Sequence, residues 1–255
     1  MTFSSSILIP VYNQDPDILR ACLRSALWQR GQEVQVVVVD DGSAAPFDAL
    51  LVELEDEALG ALDRHEIQTR GWVTYTRQAN GGVAAALNAA LSLATGTYIH
   101  WLSSDDLYHP DKVAKQVALM ERNGASVSYC TYEDGVPHPQ TCYPAVQYPT
   151  REKLFEDLRQ QCFINACTVC WRADFLRKIG GFDPSFRHCQ DYEVLLRSAQ
   201  RENFAALNVP LVRRRVHAGQ MLNVLRQKEE QEIKAQELAR LNEMYGCTAR
   251  LWVPK

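Results

Sequence analysis

The stretch Val36-Val37-Val38-Val39-Asp40-Asp41-Gly42-Ser43 runs four consecutive valines into two aspartates. A continuous β-branched run closed by turn residues predicts a strand buried on both faces, as in a parallel sheet covered by helices. Such sheets collect their ligands at the carboxyl ends of the strands, where these two carboxylates stand. A second stretch repeats the layout: Tyr98-Ile99-His100-Trp101-Leu102-Ser103-Ser104-Asp105-Asp106. Paired carboxylates repel one another and are costly to desolvate unless a cation or hydrogen-bond donors compensate them. Either pair alone has a bland reading as well, as the cap of a following turn or helix. Two pairs ending two strands point to a metal-dependent nucleotide site.

Working outward, Ser6 to Pro10 reads as a first buried strand closed by Pro10-Val11-Tyr12-Asn13. Asp15 then has the chemistry of an N-cap and Pro16 that of a first helical residue, with Leu19, Leu23 and Leu27 on one face. Gly31 stops that helix before the valine strand, so the segment is a β-α-β unit with a right-handed crossover. Phe47 to Leu62 is predicted helical, Trp72 to Tyr75 a strand, and the Ala-rich Val83 to Ala94 a helix. The turn Asn80-Gly81-Gly82 presents backbone N–H groups ahead of that last helix. Further elements follow: a helix over Pro110 to Arg122, a strand over Val127 to Tyr132, a helix over Arg151 to Arg159 and a strand over Ala166 to Trp171. Glu133 to Thr150, with four prolines and no periodicity, reads as a surface excursion. Ala173 to Ile179 and Asp191 to Arg201 are predicted helices, Phe204 to Leu207 and Leu211 to Val216 two late strands. Leu225 to Met244 is a long charged helix turning Leu238, Leu241 and Tyr245 inward.

The 255 residues, 46% hydrophobic and 23% charged, suffice for one large α/β domain or two small ones and exclude a disordered chain. A net charge of -4 argues against binding nucleic acid through its phosphates. The basic cluster Arg213-Arg214-Arg215 suits a diphosphate or a membrane surface, or is a solvated face. The start lacks the features of a secretory signal and no apolar stretch approaches a membrane span, so a cytoplasmic location is expected, with peripheral membrane association open. Eight cysteines form no disulfide framework, and Cys167-Thr168-Val169-Cys170, without a second C-x-x-C, reads as core packing.

Nine segments in order make the chain resemble a family 2 glycosyltransferase of the GT-A fold. They are Ile9-Pro10-Val11-Tyr12-Asn13, Val39-Asp40-Asp41-Gly42-Ser43, Asn80-Gly81-Gly82, Asn88 with Ala94 to Ile99, Leu102 to Asp106, Pro110-Asp111, Gly180-Gly181-Phe182-Asp183, Asp191 with Leu195-Leu196-Arg197, and Arg215-Val216-His217. The resemblance implies a mainly parallel Rossmann-like sheet flanked by helices, with a C-terminal helical extension. It also implies an inverting transfer of sugar from a nucleotide-diphosphate sugar, most commonly a UDP-sugar, to an acceptor hydroxyl in glycan or polysaccharide biosynthesis. The acceptor is a glycan, a lipid-linked molecule or a protein.

By the same resemblance Pro10 and Tyr12 lie against the nucleotide base, Asp41 accepts a hydrogen bond from its N–H edge, and Asn80, Gly81 and Asn88 contribute to donor binding. Asp105 and Asp106 fall on the family's D-x-D region, one as ligand to Mn²⁺ or Mg²⁺ and the other on the ribose or a metal-bound water. Hard cations of this kind take oxygen ligands. Asp191 matches the general base, with Glu193 as competitor, and His217 approaches the diphosphate or metal. Ser103 stands where many relatives carry a leading Asp, and Leu87 where many carry Arg. The expected organisation is one catalytic domain over 1–221, with a nucleotide-sugar half (about 1–106) and an acceptor half (107–221), followed by a helical extension over 222–255. Two other readings remain: a non-catalytic sugar-nucleotide-binding member, and a sugar-nucleotidyltransferase, whose Gly-rich basic loop after the first strand is replaced here by Pro10-Val11-Tyr12-Asn13-Gln14.

Overall fold

The computed structural model describes residues 4–63, 71–136, 138–216 and 228–248. At its centre β1 (Ser5–Val11) pairs in parallel with β2 (Val34–Asp40) on one side and β4 (Tyr98–Trp101) on the other, and β2 pairs in parallel with β3 (Trp72–Arg77). This order, β3-β2-β1-β4, reverses direction between β1 and β4, which opens a crevice at their carboxyl ends.

The sheet continues through β8 (Val169–Arg172), β6 (Val127–Asp134), β9 (Ala205–Arg214) and the two-residue β5 (Leu107–Tyr108), with β7 (Thr141–Tyr143) beside β6. Here parallel and antiparallel pairs mix: β8 runs against β4 and β6, whereas β6 and β9 are parallel. Helices cover both faces, giving the mixed α/β layering of the GT-A fold.

Alternation along the strands sorts the core. Ile7, Ile9, Val36 and Val38 face the layer of α1 (Pro16–Leu27), α2 (Asp48–Asp63) and α4 (Lys112–Asn123). Leu8, Val37, Val39, Ile99 and Trp101 face α3 (Val83–Leu93), α5 (Arg151–Gln160), α6 (Ala173–Lys178), α7 (Gln190–Ala199) and α8 (Lys228–Tyr245). Val36 to Val39 are all fully buried, each worth about 1.5–3 kcal/mol on leaving water. The start of α1 follows its local chemistry: Asp15 accepts from the N–H groups of Asp17 and Ile18, and Pro16 follows. Gly96 lets the chain cross β1 closely, since a Cβ there would stand 2.5 Å from the backbone of Ser5 and Ser6.

Four segments differ from the sequence reading. Within the proline-rich excursion Thr141–Tyr143 returns as β7 and stacks Tyr143 on Tyr132, with ring centroids 4.5 Å apart. The two late strands are one, β9, continuing through Pro210 because the register shifts there and the missing N–H is tolerated. Ala166–Thr168 is a 3-10 turn rather than strand, held by the Asn165 side chain accepting from Cys167 N. The two-residue β5, which follows the second aspartate pair directly, carried no periodic signal.

Candidate active site

The carboxyl ends of β1, β2 and β4 lie side by side and carry most of the predicted residues. Asp41 N donates to the Val11 carbonyl at 2.8 Å, and Leu102 N to the Leu8 carbonyl at 3.0 Å. The turn after β1 is locked to the turn after β2: Asn13, in the left-handed region at φ 46°, donates through its N–H to Ser43 Oγ, and its Oδ1 accepts from Ala44 N. Pro10 is part-buried at the end of β1, and Tyr12 stands 54% exposed beside the crevice, an available flat surface.

The two aspartates of the first pair do different work. Asp40 is buried within the protein, accepting from Ser43 N at 2.8 Å, with Arg77 Nε 3.4 Å away. Asp41 organises the Asn80-Gly81-Gly82 turn: Oδ1 accepts from Gln78 Nε2 at 2.7 Å and Gly81 N at 2.9 Å, and Oδ2 from Gly82 N at 2.8 Å. A carboxylate offers about four acceptor positions, and these three bonds use two on Oδ1 and one on Oδ2. Gly42 is required here, because its φ of +84° and a Cβ only 2.9 Å from Asn80 N exclude a side chain. Asn80 and Gly81 are exposed.

At the end of β4, Asp106 is buried and its Oδ1 accepts from Arg215 N at 3.0 Å. Arg215 Nε donates to the Asp105 carbonyl at 3.2 Å. Burial first, and the neighbouring Asp105 charge second, push the Asp106 carboxyl up to about 8, with Arg215 N–H and Arg214 opposing. Such a shift marks negative charge that the protein has not fully compensated. Among the described residues no three His, Cys, Asp or Glu side chains come together as a ready metal cage. Asp105 and Asp106 nevertheless fit a hard divalent cation, which keeps several waters or phosphate oxygens in its shell.

Ser103, in place of a leading Asp, is gripped by buried cysteines: Cys167 Sγ lies 3.2 Å from its Oγ, and Cys22 donates to its carbonyl at 3.3 Å. The C-x-x-C residues are both buried as expected, and Cys167 also supports the acidic turn. All eight cysteines are free thiols.

The arginine run is not an idle surface. Arg214 makes a two-pronged pair with Asp134 at 2.7 and 2.6 Å, Arg213 approaches Glu133 at 3.6 Å, and Arg215 holds the acidic turn. The sequence placed Arg215 in a basic cluster and a motif without linking it to Asp106; the signal for that link was its place one residue after a strand that pairs with β5. His217 lies outside the described residues.

Asn88 finds a partner far along the chain. Its Nδ2 donates to the Phe182 carbonyl at 2.7 Å and its Oδ1 accepts from Phe182 N at 2.9 Å, so its amide braces α3 against the turn through Gly181. Leu87 is fully buried in the core.

Asp191 sits in the first turn of α7, part-buried, with Oδ1 accepting from Tyr192 N at 2.7 Å. Burial pushes its carboxyl above the ordinary value; the Tyr192 N–H and Lys234 pull it down, and Glu237 adds to the rise. Glu193, the competitor, is committed elsewhere: it pairs with Arg197 at 2.5 Å and accepts from Tyr245 OH at 2.8 Å.

An acidic turn beside the point where the strand order reverses, within a mixed α/β sheet covered by helices, fits the GT-A fold. The chain belongs to glycosyl transferase family 2, whose description matches residues 6–182. It is 30% identical over 234 residues to an uncharacterized glycosyltransferase of Rickettsia prowazekii (strain Madrid E), covering 89% of this chain and 69% of that protein. It is 27% identical over 203 residues to the UDP-Glc:alpha-D-GlcNAc-diphosphoundecaprenol beta-1,3-glucosyltransferase WfgD of Escherichia coli, covering 80% of this chain and 72% of WfgD. Two solved structures share the fold at a TM-score of 0.63: S. aureus TarS 1-349 in complex with UDP (20% identity, 96% of this chain and 72% of that one) and the mannosyltransferase PcManGT from Pyrobaculum calidifontis in complex with GDP-Man and Mn2+ (16% identity, 94% and 65%). No helix among the described residues is long and apolar enough to cross a membrane.

Proposed function

We propose that this chain is an inverting, metal-dependent glycosyltransferase that moves a sugar from a nucleotide-diphosphate sugar, a UDP-sugar by preference, to an acceptor hydroxyl in polysaccharide biosynthesis in the cytoplasm. The observation that carries the reading is the buried, under-compensated acidic turn Asp105-Asp106 at the crevice between β1 and β4. The base stacks on Tyr12 beside Pro10 and donates to the remaining acceptor position of Asp41, while Asn80 and Gly81 border the donor. Mn²⁺ or Mg²⁺ held by Asp105 and Asp106 would neutralise charge on the departing diphosphate. Asn88 serves indirectly, by fixing the Phe182 turn.

Asp191 takes the proton of the acceptor hydroxyl, and the acceptor oxygen forms its bond to the anomeric carbon. The bond from that carbon to the diphosphate oxygen breaks on the opposite side, and the electron pair leaves with the nucleoside diphosphate. A carboxyl raised by burial suits this task, because a base works best with a pKa nearer the operating pH. The UDP-Glc donor and undecaprenyl-diphosphate-linked acceptor in the name of WfgD support a UDP-sugar donor and a lipid-linked glycan acceptor.

Thermal-shift titrations of UDP-sugars with and without Mn²⁺ test the donor half, since a ligand of the native state raises Tm. The Mn²⁺-dependent part is expected to vanish in Asp106→Ala. Undiminished Mn²⁺ dependence in both Asp105→Ala and Asp106→Ala sinks the metal assignment. Turnover in Asp191→Asn is expected to fall about 10²–10⁴-fold with donor affinity unchanged. A product that keeps the donor's anomeric configuration refutes inversion.

A further inference from the structure

Helix α8 lies over the loop that leads into α7, and its contacts there are mainly polar. Glu230, Glu237 and Arg240 follow at helical spacing and meet one short segment, Asp183 to Cys189. Glu230 reaches His188 Nε2 at 2.6 Å and Arg187 at 2.9 Å. Arg240 donates to Ser185 Oγ at 2.7 Å, and Tyr245 reaches Glu193 in α7 itself. Leu241 is the fully buried apolar residue of this face.

Glu237 has the most exacting place. It is buried, and its carboxylate accepts the backbone N–H groups of Arg187, His188 and Cys189, the last two at 2.9 Å. Helix α7 has no side-chain cap of its own, its N-cap residue being Cys189. The N–H groups of the loop ahead of it, up to that N-cap residue, are instead bound by a carboxylate from a helix 48 residues further along the chain. A buried carboxylate is expensive unless its hydrogen bonds are made, so this seat holds α8 in one register and fixes the backbone turn beneath it. A negative group at the positive end of α7 stabilises that end further. Asp191 follows two residues after the last of the three donors.

We propose that α8 presents the general base, with Glu237 as a positioning residue: by binding three successive N–H groups it sets the turn from which Asp191 meets the acceptor hydroxyl. The inference rests on the reading of Asp191 as base given above. The titratable groups facing Asp191 are Glu237 and Lys234 from α8, Cys162 from the turn after α5, and Cys189 from its own loop. The negative Glu237 raises the Asp191 carboxyl and the positive Lys234 lowers it. Neutralising each therefore moves the acid limb of the rate profile in opposite directions.

The experiment is steady-state transfer across pH by the full chain carrying Glu237→Gln, Lys234→Gln or Asp191→Asn, with Tm followed in parallel. In Glu237→Gln the amide cannot accept on both ends, so kcat is expected to fall about 10- to 100-fold through misplacement, with donor KM unchanged. Its acid limb should shift to lower pH and that of Lys234→Gln to higher pH, with Glu237→Asp recovering part of the rate. Wild-type kcat and an unmoved acid limb in a folded Glu237→Gln, beside an inactive Asp191→Asn, overturn the positioning role alone. If Glu237→Gln does not fold, an unmoved limb in Lys234→Gln overturns it. Full activity in Asp191→Asn removes the base assignment, and the inference with it.

Discussion

Replacing Asp41 by Asn tests how the Gly81-Gly82 turn is held, because the substitution keeps shape and changes chiefly the acceptor capacity of the side chain. The amide oxygen can retain the bonds from Gln78 Nε2 and Gly81 N, but its NH₂ then faces Gly82 N, donor against donor, across the present 2.8 Å contact. Losing one hydrogen bond to a charged acceptor costs about 1.5–3 kcal/mol, and the two survivors drop to neutral strength, roughly 0.5 kcal/mol less each. Relief from desolvating a carboxylate only 3% exposed offsets part of this, for a net loss near 2 kcal/mol. In a chain of this size that lowers Tm by about 4–8 °C. The assay pairs calorimetric unfolding with a UDP titration, where loss of the fourth acceptor position should cost a further 1–3 kcal/mol, roughly tenfold in Kd per 1.4 kcal/mol. An unchanged Tm refutes the view that this carboxylate holds the Gly81-Gly82 turn. A lowered Tm with unaltered UDP affinity leaves that role standing and refutes the contact to the base.

Gly96→Ala should destabilise the protein by about 1–3 kcal/mol, read as a lower denaturation midpoint, because the new Cβ meets the Ser5 and Ser6 backbone at 2.5 Å in a central strand that cannot yield; an unchanged midpoint would show that β1 can move. Lys112 is fully buried beside His100 Nδ1 at 2.8 Å, and burial holds its amine down to about 8 against an ordinary 10.5. Between those values the unfolded chain binds the extra proton, so the penalty is complete below about pH 8 and stability is regained as pH rises toward 10.5. The wild type should therefore gain on Lys112→Met by about 3 kcal/mol across that window, and parallel stability curves would contradict it.

Local signals in the sequence sufficed for the layered sheet and for the strand ends that carry the candidate site. The unbroken Val36–Val39 run required burial on two faces, the Asp15-Pro16 cap and leucine spacing required α1, and the two aspartate pairs marked the strand ends that became the crevice. Each of those signals acts within a few residues, through periodicity, turn chemistry or capping. What each polar side chain does was decided only by packing. Asp41 and Asn88 looked alike as donor-binding residues, yet one organises a glycine turn 40 and 41 residues away and the other clamps Phe182, 94 residues on. Arg215 reaches Asp106 across 109 positions because β9 lies against β5, an element of two residues with no periodicity to read. Glu237, one acid among many on a charged helix, became the buried acceptor of three loop N–H groups only when α8 was laid across the start of α7. A hydrogen-bond partner so distant in sequence is chosen by which surfaces the core brings together, and short-range patterns carry no record of that choice.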